Sequence, residues 1–319
     1  MTRNWIHISS SCCFVCVPLP AAISRMRVLS TLFMQTCFSK ASDNNLLILP
    51  QAVLSTVVFS MEKQELGWDD FWADLFRVRH RRSIPGIQHY DGLIVDFCTE
   101  TLNLKRGDEV LDIACGAGDH SVLFAKRGFN VTGFDISGSL IRSAENLASA
   151  NNVVVNFYRG DMREINFVQR FKGAILLSHS FGFFNHEENT RVLEGSFNAL
   201  VKGGRLLLDL MNPYNLPRFQ KTWTDFKDGY LLSEPHIIDA PAGVLRGRPA
   251  TFIDIENDRV ILMNKDALSN NDIRMYTALE IKDLLTKVGF KKIELFGANK
   301  LPRTAYTASS DRMVVVATR

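Results

Sequence analysis

Three aspartates and two glycines carry the chemical signal of this chain. In VLDIACGAGDHS, Val110 to Ser121, Asp112 stands within an apolar run just before a turn built on Gly116 and Gly118. Glycines there let the backbone pass close to a ligand, because no Cβ stands in the way. Asp112 can order that loop or meet a cationic amino group. Asp135, in NVTGFD, follows about 20 residues on, where an acid in nucleotide-binding βαβ units accepts hydrogen bonds from ribose hydroxyls. Asp161, in RGDMRE, ends a third apolar run and can accept from an adenine amino group, with Met162 against the ring. A Walker loop is excluded, since no Lys-Ser or Lys-Thr follows the glycines. The dinucleotide fingerprint GxGxxG is incomplete, with Ser121 at its third glycine position.

The elements that must position these residues are legible as alternating patterns. Short apolar runs (EVLDIA, NVTGFD, VVVNFYRGD, GAILLSHS, GGRLLLDLM) alternate with helical ones (SVLFAKRG, SLIRSAENLASA, and Glu187 to Val201). That alternation predicts βαβ units and a parallel sheet covered on both faces. Ahead of it, Trp68, Phe71, Trp72, Leu75 and Phe76 recur at helical spacing. A second helix is expected from about Gln88 to Leu102, with Leu93, Ile94, Phe97 and Thr101 on one face, so the two make an N-terminal helical cover. Between Met211 and Tyr276 the runs LLSEPHIID, PATFIDIE and RVILMN, separated by turn residues, predict an antiparallel β insertion over one end of the sheet. Thr277 and Glu280 form a capping box ahead of IKDLLTKVGF, with Gly289 as its C-terminal stop. KKIELFG and DRMVVVAT supply two final strands.

Taken in order and spacing, these motifs resemble the class I S-adenosylmethionine-dependent methyltransferases from about Asp108 to the C-terminus. VLDIACGAGDHSVLFAKRG is similar to their first motif, VTGFDIS to their ribose motif, GDM to their adenine motif, and LVKGGRLLLDL to their fifth strand with its preceding turn. The resemblance implies an α/β, doubly wound, Rossmann-like seven-stranded sheet, mostly parallel, with strand seven antiparallel between five and six. It implies S-adenosylmethionine as cofactor. Asp112, Gly116 and Gly118 would surround its methionine portion, Asp135 its ribose, and Asp161 with Met162 its adenine, with Ala114, Ile136 and Ser178 among the further cofactor-binding residues. The expected reaction is methyl transfer to a small-molecule or peptide-like acceptor.

Such transfer needs the acceptor held close and in line, and a base only if the acceptor must lose a proton. His179, at the end of the fourth strand, is the candidate base; the alternative is a histidine hydrogen-bonded to backbone beside the cofactor. Phe181 can wall the acceptor pocket or pack in the core. Asn212, Tyr214, Arg274 and Tyr276 can contact the acceptor, or equally tie the insertion to the domain. The alternatives to this activity are a non-catalytic cofactor-binding scaffold, an RNA methyltransferase and, against Ser121, a nicotinamide-dependent oxidoreductase.

Composition bounds these readings. The chain has 319 residues, of which 46% are hydrophobic and 22% charged, an ordinary globular balance. Its net charge of +3 resides in residues 1–60, where Arg3, Arg25, Arg27 and Lys40 face only Asp43; the remainder holds 33 basic and 33 acidic side chains. A neutral body argues against a nucleic-acid partner. RVRHRRS, at the end of the first helix, reads as a solvated helix end. Cys98 and Cys115 are isolated thiols, and no metal site is expected. Residues 1–60 read as a transit-like extension or as sequence upstream of a true start at Met61; 61–105 as the helical cover; and 106–319 as the methyltransferase domain, with the insertion at about 213–275. A start at Met61 implies the cytoplasm, and a genuine transit peptide a mitochondrion or plastid. The apolar part of 44–61 is too short, and broken by Pro50, to make a stable membrane span.

Overall fold

A computed structural model describes residues 14–15, 49–50, 62–81, 85–218, 223–227, 230–234, 236–247, 250–254, 259–263 and 272–319. The readings of residues 1–60 and of the RVRHRRS side chains lie outside these. The chain divides into two compact units. The first, residues 1–63 with 258–260, contains two short antiparallel strands, Phe14–Val15 and Leu49–Pro50. The second, residues 64–257 with 261–319, contains all the elements discussed below.

Seven strands form its central sheet: β1 (Glu109–Ile113), β2 (Asn130–Asp135), β3 (Asn156–Arg159), β4 (Phe171–Leu176), β5 (Leu200–Met211), β6 (Lys291–Phe296) and β7 (Arg312–Thr318). Their order is β3-β2-β1-β4-β5-β7-β6. The first five pair in parallel, and β7 runs antiparallel to both β5 and β6, as the resemblance implied. The chain winds outward from β1 to β3 and then crosses back to β4 beside β1. Ligands of such sheets bind beyond the carboxyl ends of the strands at that reversal.

The helices are α1 (Trp68–Arg81), α2 (Pro85–Thr101), α3 (Asp119–Lys126), α4 (Gly138–Ala150), α5 (His186–Ala199) and α6 (Ala278–Val288). Strand period sorts the core into two faces. Leu111, Ile113, Ala174, Leu176, Leu206, Leu208, Met313 and Val315 join Val192 and Leu193 of α5 and Ile281, Leu284 and Leu285 of α6. Val110, Ile175, Leu177, Leu207, Val314 and Val316 join Ile94, Phe97 and Cys98 of α2 and Phe124 of α3. Full burial of each large aliphatic side chain is worth about 1.5–3 kcal/mol. On that second face the ladder is broken by two buried acids, Asp112 and Asp209, both near the carboxyl ends of their strands.

Some boundaries and faces differ from expectation. α2 starts at Pro85, which is preorganised for a first helical position. Its buried face carries Ile94, Val95, Phe97, Cys98, Thr101 and Leu102, whereas Leu93 is 37% exposed. α5 stops at Ala199 rather than Val201, because Leu200 is already extended (φ −74°, ψ 146°). The capping box of Thr277 and Glu280 is present in both directions, and Gly289 closes α6 in the left-handed conformation.

The insertion is antiparallel. Trp223–Lys227, Tyr230–Glu234 and Thr251–Asp254 pair in one sheet, and His236–Asp239, Val244–Gly247 and Ile273–Arg274 in another. It meets the sheet edge where the Arg274 N–H donates to Gly182 O at 2.7 Å. α1 packs Phe71 and Leu75 on Ala250, Ile261 and Met263 of the insertion. Its Ala73 packs on Ala117 and Leu140 beside the glycine turn. One helix therefore joins the insertion to that turn.

Candidate functional site

β1 runs directly into the turn, and three of its residues are left-handed: Ala114 (φ 56°), Gly116 (φ 56°) and Gly118 (φ 83°). The Cys115 N–H donates to Phe134 O at 3.1 Å and ties the turn to β2. The two glycines serve different ends. A Cβ on Gly118 would stand 2.8 Å from Ala144 Cβ and 3.1 Å from Phe157, so this glycine admits α4. A Cβ on Gly116 would meet nothing within 4 Å, so its backbone faces open space, as a ligand cradle requires.

Asp112 is buried and accepts from Ser121 Oγ at 2.6 Å. Ser121, which spoils the dinucleotide fingerprint, supplies the hydroxyl that the acid needs. Burial raises the Asp112 carboxyl to about 6; His120 and the Ser121 bond lower it, and Asp135 and Asp119 raise it. Its observed bond therefore supports the turn.

Asp112→Asn keeps an acceptor for Ser121 and removes the ionisation. Because the folded pKa lies above the ordinary value, the stabilisation from the protonated carboxyl is complete below about pH 4 and is lost as pH rises through about 6. Two pH units correspond to roughly 3 kcal/mol. In urea melts across that window the native chain should lose stability relative to the Asn variant; parallel curves would show that Asp112 titrates normally.

Asp135 is buried at the end of β2, with Oδ2 accepting from Gly116 N at 2.8 Å and Oδ1 from Ser137 N at 2.9 Å. Each oxygen keeps an acceptor site for a ribose hydroxyl. Burial raises this carboxyl, the Ser137 and Gly116 N–H groups lower it, and Asp69 raises it again. Ser137 caps α4, accepting from Leu140 N at 2.9 Å, and donates its hydroxyl to Asp69 of α1. Ser139 donates to Asp70 at 3.2 Å. This link between helical cover and ribose position was not read from the sequence, although DISGS and the acids of DDF supply its partners.

Ile136 follows Asp135 and is 50% exposed, an apolar side chain open to solvent beside the β2 end. Asp161 caps a short 3-10 turn, Met162–Glu164, and Met162 packs partly buried on the core. Asp161 is also clamped by Arg163, whose hydrogen bonds hold its carboxyl below the ordinary range. Open backbone at Gly116, acceptor capacity at Asp135 and Asp161, and the exposed Ile136 together fit an adenosine. The mutually reinforcing acids Asp69, Asp112, Asp119 and Asp135 suit a ligand that also carries positive charge.

On the acceptor side, Ser178 (φ 54°) and His179 (φ 63°) form two consecutive left-handed residues after β4. Such backbone is costly, and it is held here by Asp209. Ser178 N donates to Asp209 Oδ2 at 3.2 Å, and His179 N to Asp209 O at 3.1 Å. Arg312 Nη1 lies 2.7 Å from Asp209 Oδ2 and 3.2 Å from His179 Nε2. Arginine only donates, so Nε2 is the acceptor and the ring proton sits on Nδ1. Burial first, then Arg312, lowers His179 to about 4. Burial raises Asp209, but Arg312 and His179 outweigh it and leave the carboxyl below its usual value. The imidazole is thus neutral, with its Nε2 lone pair directed at a guanidinium.

A cleft beyond β4 and β5 is lined by His179, Phe181, Leu210, Met211, Ile273, Arg274 and others of that segment. Phe181 is buried against the Tyr276 ring at 5.4 Å, and the Tyr276 hydroxyl accepts from Asn189 at 3.0 Å. Arg274 donates to Gly243 O, Met275 O and Glu280, which fastens the insertion to α6. Asn212 is fully buried: its Nδ2 donates to Thr307 O, Ala308 O and Ser310 O, and its Oδ1 accepts from Tyr214 N and Tyr306 Oη. Asn212 and Arg274 therefore act as ties between segments, and Tyr214 is the exposed member of the set. Among the described residues no cluster of His, Cys, Asp and Glu could hold a metal ion, and no helix is long and apolar enough to cross a membrane.

Comparison with known proteins agrees with this geometry. A family profile described as a methyltransferase domain matches residues 110–204, the span from β1 to the turn within β5. The chain is 26% identical to glycine/sarcosine N-methyltransferase of Aphanothece halophytica over 72% of its length and 81% of that protein. It is 30% identical to demethylmenaquinone methyltransferase of Thermotoga maritima over 40% of its length and 58% of that protein. For several curated relatives the match spans about half of the relative's length. The fold superposes on an S-adenosylmethionine-dependent methyltransferase of Clostridium acetobutylicum with a TM-score of 0.61 at 16% identity, covering 70% of this chain and 89% of that one. The strand order and the matched domain agree: residues 110–204 carry a methyltransferase domain, set in a fold like that of S-adenosylmethionine-dependent methyltransferases.

Proposed function

We propose that the protein transfers a methyl group from S-adenosylmethionine to a small-molecule or peptide-like acceptor, releasing S-adenosylhomocysteine. The observation that carries this reading is the convergence of Gly116, Asp135 and Asp161 at successive strand ends beside the reversal of the sheet. When bound, the cofactor supplies an activated methyl group whose in-line displacement depends on alignment of the acceptor. The chain's own part is positional. Asp135 accepts from the ribose, Asp161 from the adenine amino group, and Gly116 opens the backbone to the methionine arm.

A small acceptor is supported by the formal neutrality of residues 61–319, which lack the basic surplus a nucleic-acid partner needs. One relative is named for methylating glycine and sarcosine, which makes small amines the first acceptors to test. Calorimetry of the full chain with S-adenosylmethionine, followed by S-adenosylhomocysteine release across amines, amino acids and hydroxylated compounds, tests the reading. Binding without transfer to any acceptor would favour a scaffold, and binding of NADH instead would overturn the cofactor assignment.

His179 acts here as a positioning residue for the turn after β4. A general base contributes about 10²–10⁴ in rate. With Nε2 engaged by Arg312, His179→Asn should keep kcat within about tenfold of the native chain and leave its pH profile unchanged. A loss of a hundredfold or more, with an acid limb abolished, would restore the histidine as base.

A further inference from the structure

Ser137 stands between two carboxylates. Its N–H donates to Asp135 Oδ1 at 2.9 Å, and its hydroxyl donates to Asp69 in the first turn of α1. The same hydroxyl oxygen accepts from Leu140 N at 2.9 Å and caps α4. Two positions on, Ser139 donates to Asp70 at 3.2 Å. The N-terminal turns of α1 and α4 therefore meet through two acids and two serines. Both helix ends carry partial positive charge, and the acids between them offset it. One turn further along α1, Ala73 is fully buried on Ala117 and Leu140, so a small side chain seats the helix on the glycine turn. Phe71 and Leu75 pack on Ala250, Ile261 and Met263, and Trp72 touches both groups.

We infer that Asp69 is a positioning residue that couples the cofactor to α1, so that a ligand donating to Asp135 draws α1, and the insertion with it, onto the site. The inference rests on the ribose role proposed above for Asp135. Asp69 and Asp135 are like charges joined by one serine. Burial raises the Asp135 carboxyl most, and Asp69 is the neighbouring charge that raises it further. In the free chain their repulsion opposes the docking of α1, while the bonds through Ser137 favour it. Ribose hydroxyls that donate to Asp135 spread its charge, which weakens the repulsion and leaves the bonds in place. The linkage is reciprocal, and docked α1 raises the affinity for the cofactor by the same factor.

The test combines calorimetry with S-adenosylhomocysteine and hydrogen–deuterium exchange of the full chain, with and without that ligand, for the native protein, Asp69→Ala and Asp69→Asn, with thermal melts recorded alongside. In the native chain the ligand should slow exchange in α1 by roughly fivefold or more, and the peptide carrying Ile261 and Met263 should slow with it. Asp69→Ala removes the acceptor for the Ser137 hydroxyl. It should bind the ligand about tenfold more weakly, and the slowing in α1 should vanish while that in the glycine turn persists. Asp69→Asn keeps an acceptor for Ser137 and removes the repulsion. Its affinity should return to within about threefold of the native value, and its α1 should exchange slowly even without ligand. A residue that only stabilised α1 would give no such reversal between alanine and asparagine. If Asp69→Ala does not fold, the native exchange and the asparagine variant decide. Unchanged exchange in α1 of the native chain on binding, native affinity in Asp69→Ala, or asparagine behaving as alanine overturns the coupling while the cofactor assignment stands. Failure of the native chain to bind S-adenosylhomocysteine overturns both.

Discussion

Asp135→Ala is expected to raise the dissociation constant for S-adenosylmethionine about a hundredfold. The argument starts from the carboxylate's position. It is buried at the end of β2 and already satisfies two backbone donors, Gly116 N and Ser137 N. The remaining lone pairs are all that this strand end offers to a pair of ribose hydroxyls. Hydrogen bonds to a charged partner contribute about 1.5–3 kcal/mol each, and about 2.8 kcal/mol is a hundredfold in affinity. Alanine also strands the two N–H groups, so loss of order in the turn has to be separated from loss of contact. Asp135→Asn keeps an acceptor for one of them and sets its NH2 against the other, so it removes the charge with only part of the loss of order. Affinity should fall from Asp to Asn to Ala, with the melting temperature of the Asn variant between those of the native chain and the alanine variant. Unchanged affinity in the alanine variant would refute the ribose role.

Asp135 was legible because a long-range rule places an acid at the end of the second strand of such units. The sheet was legible for a related reason. Continuous apolar runs such as AILL and LLLDL are what strands buried on both faces require, and the helices between them show their own period. The antiparallel position of the last strand came from the resemblance, since periodicity does not state direction. The face of α2 was misread at Leu93 because that helix is apolar on more than one side. Only the sheet it packs against decides that Ile94, Phe97 and Cys98 go inward.

The acceptor side was less legible, for a physical reason. A polar side chain that leaves a strand end can point at a ligand or satisfy nearby backbone, and the residue type is the same in both cases. Asn212 illustrates this: its amide bonds three carbonyls of residues 307–310, nearly a hundred positions away in sequence. Arg274 spends its guanidinium on Gly243, Met275 and Glu280. The Asp209–Arg312–His179 network joins three residues from separate strand ends. Nothing local in LLSHS or DRMVV announces that they meet. Arg163 is the opposite case. It lies two residues from Asp161, and an acid capping a turn with a cation two positions on was a readable sign.

The largest contrast should come from the two glycines of the turn. Both have positive φ, so alanine at either one costs about 1–2 kcal/mol of backbone energy. At Gly118 the added Cβ also collides with Ala144 Cβ, which cannot withdraw without moving α4 from the sheet, and crowds the tip of the Phe157 ring on β3. Overpacking of that kind adds about 1–3 kcal/mol. Gly118→Ala should therefore unfold roughly 2–5 kcal/mol more easily, a large share of a domain's usual stability. At Gly116 the added methyl meets no protein atom, so the backbone term stands alone. The methyl occupies the space from which the backbone would approach the methionine arm. Gly116→Ala should thus stay folded, with a small drop in melting temperature, and lose at least tenfold in affinity for S-adenosylmethionine. Denaturant melts and calorimetry on the same two proteins measure both quantities. If Gly116→Ala binds as tightly as the native chain, the cradle lies elsewhere in the turn. If Gly118→Ala is as stable as the native chain, the approach of α4 is looser than the 2.8 Å separation implies.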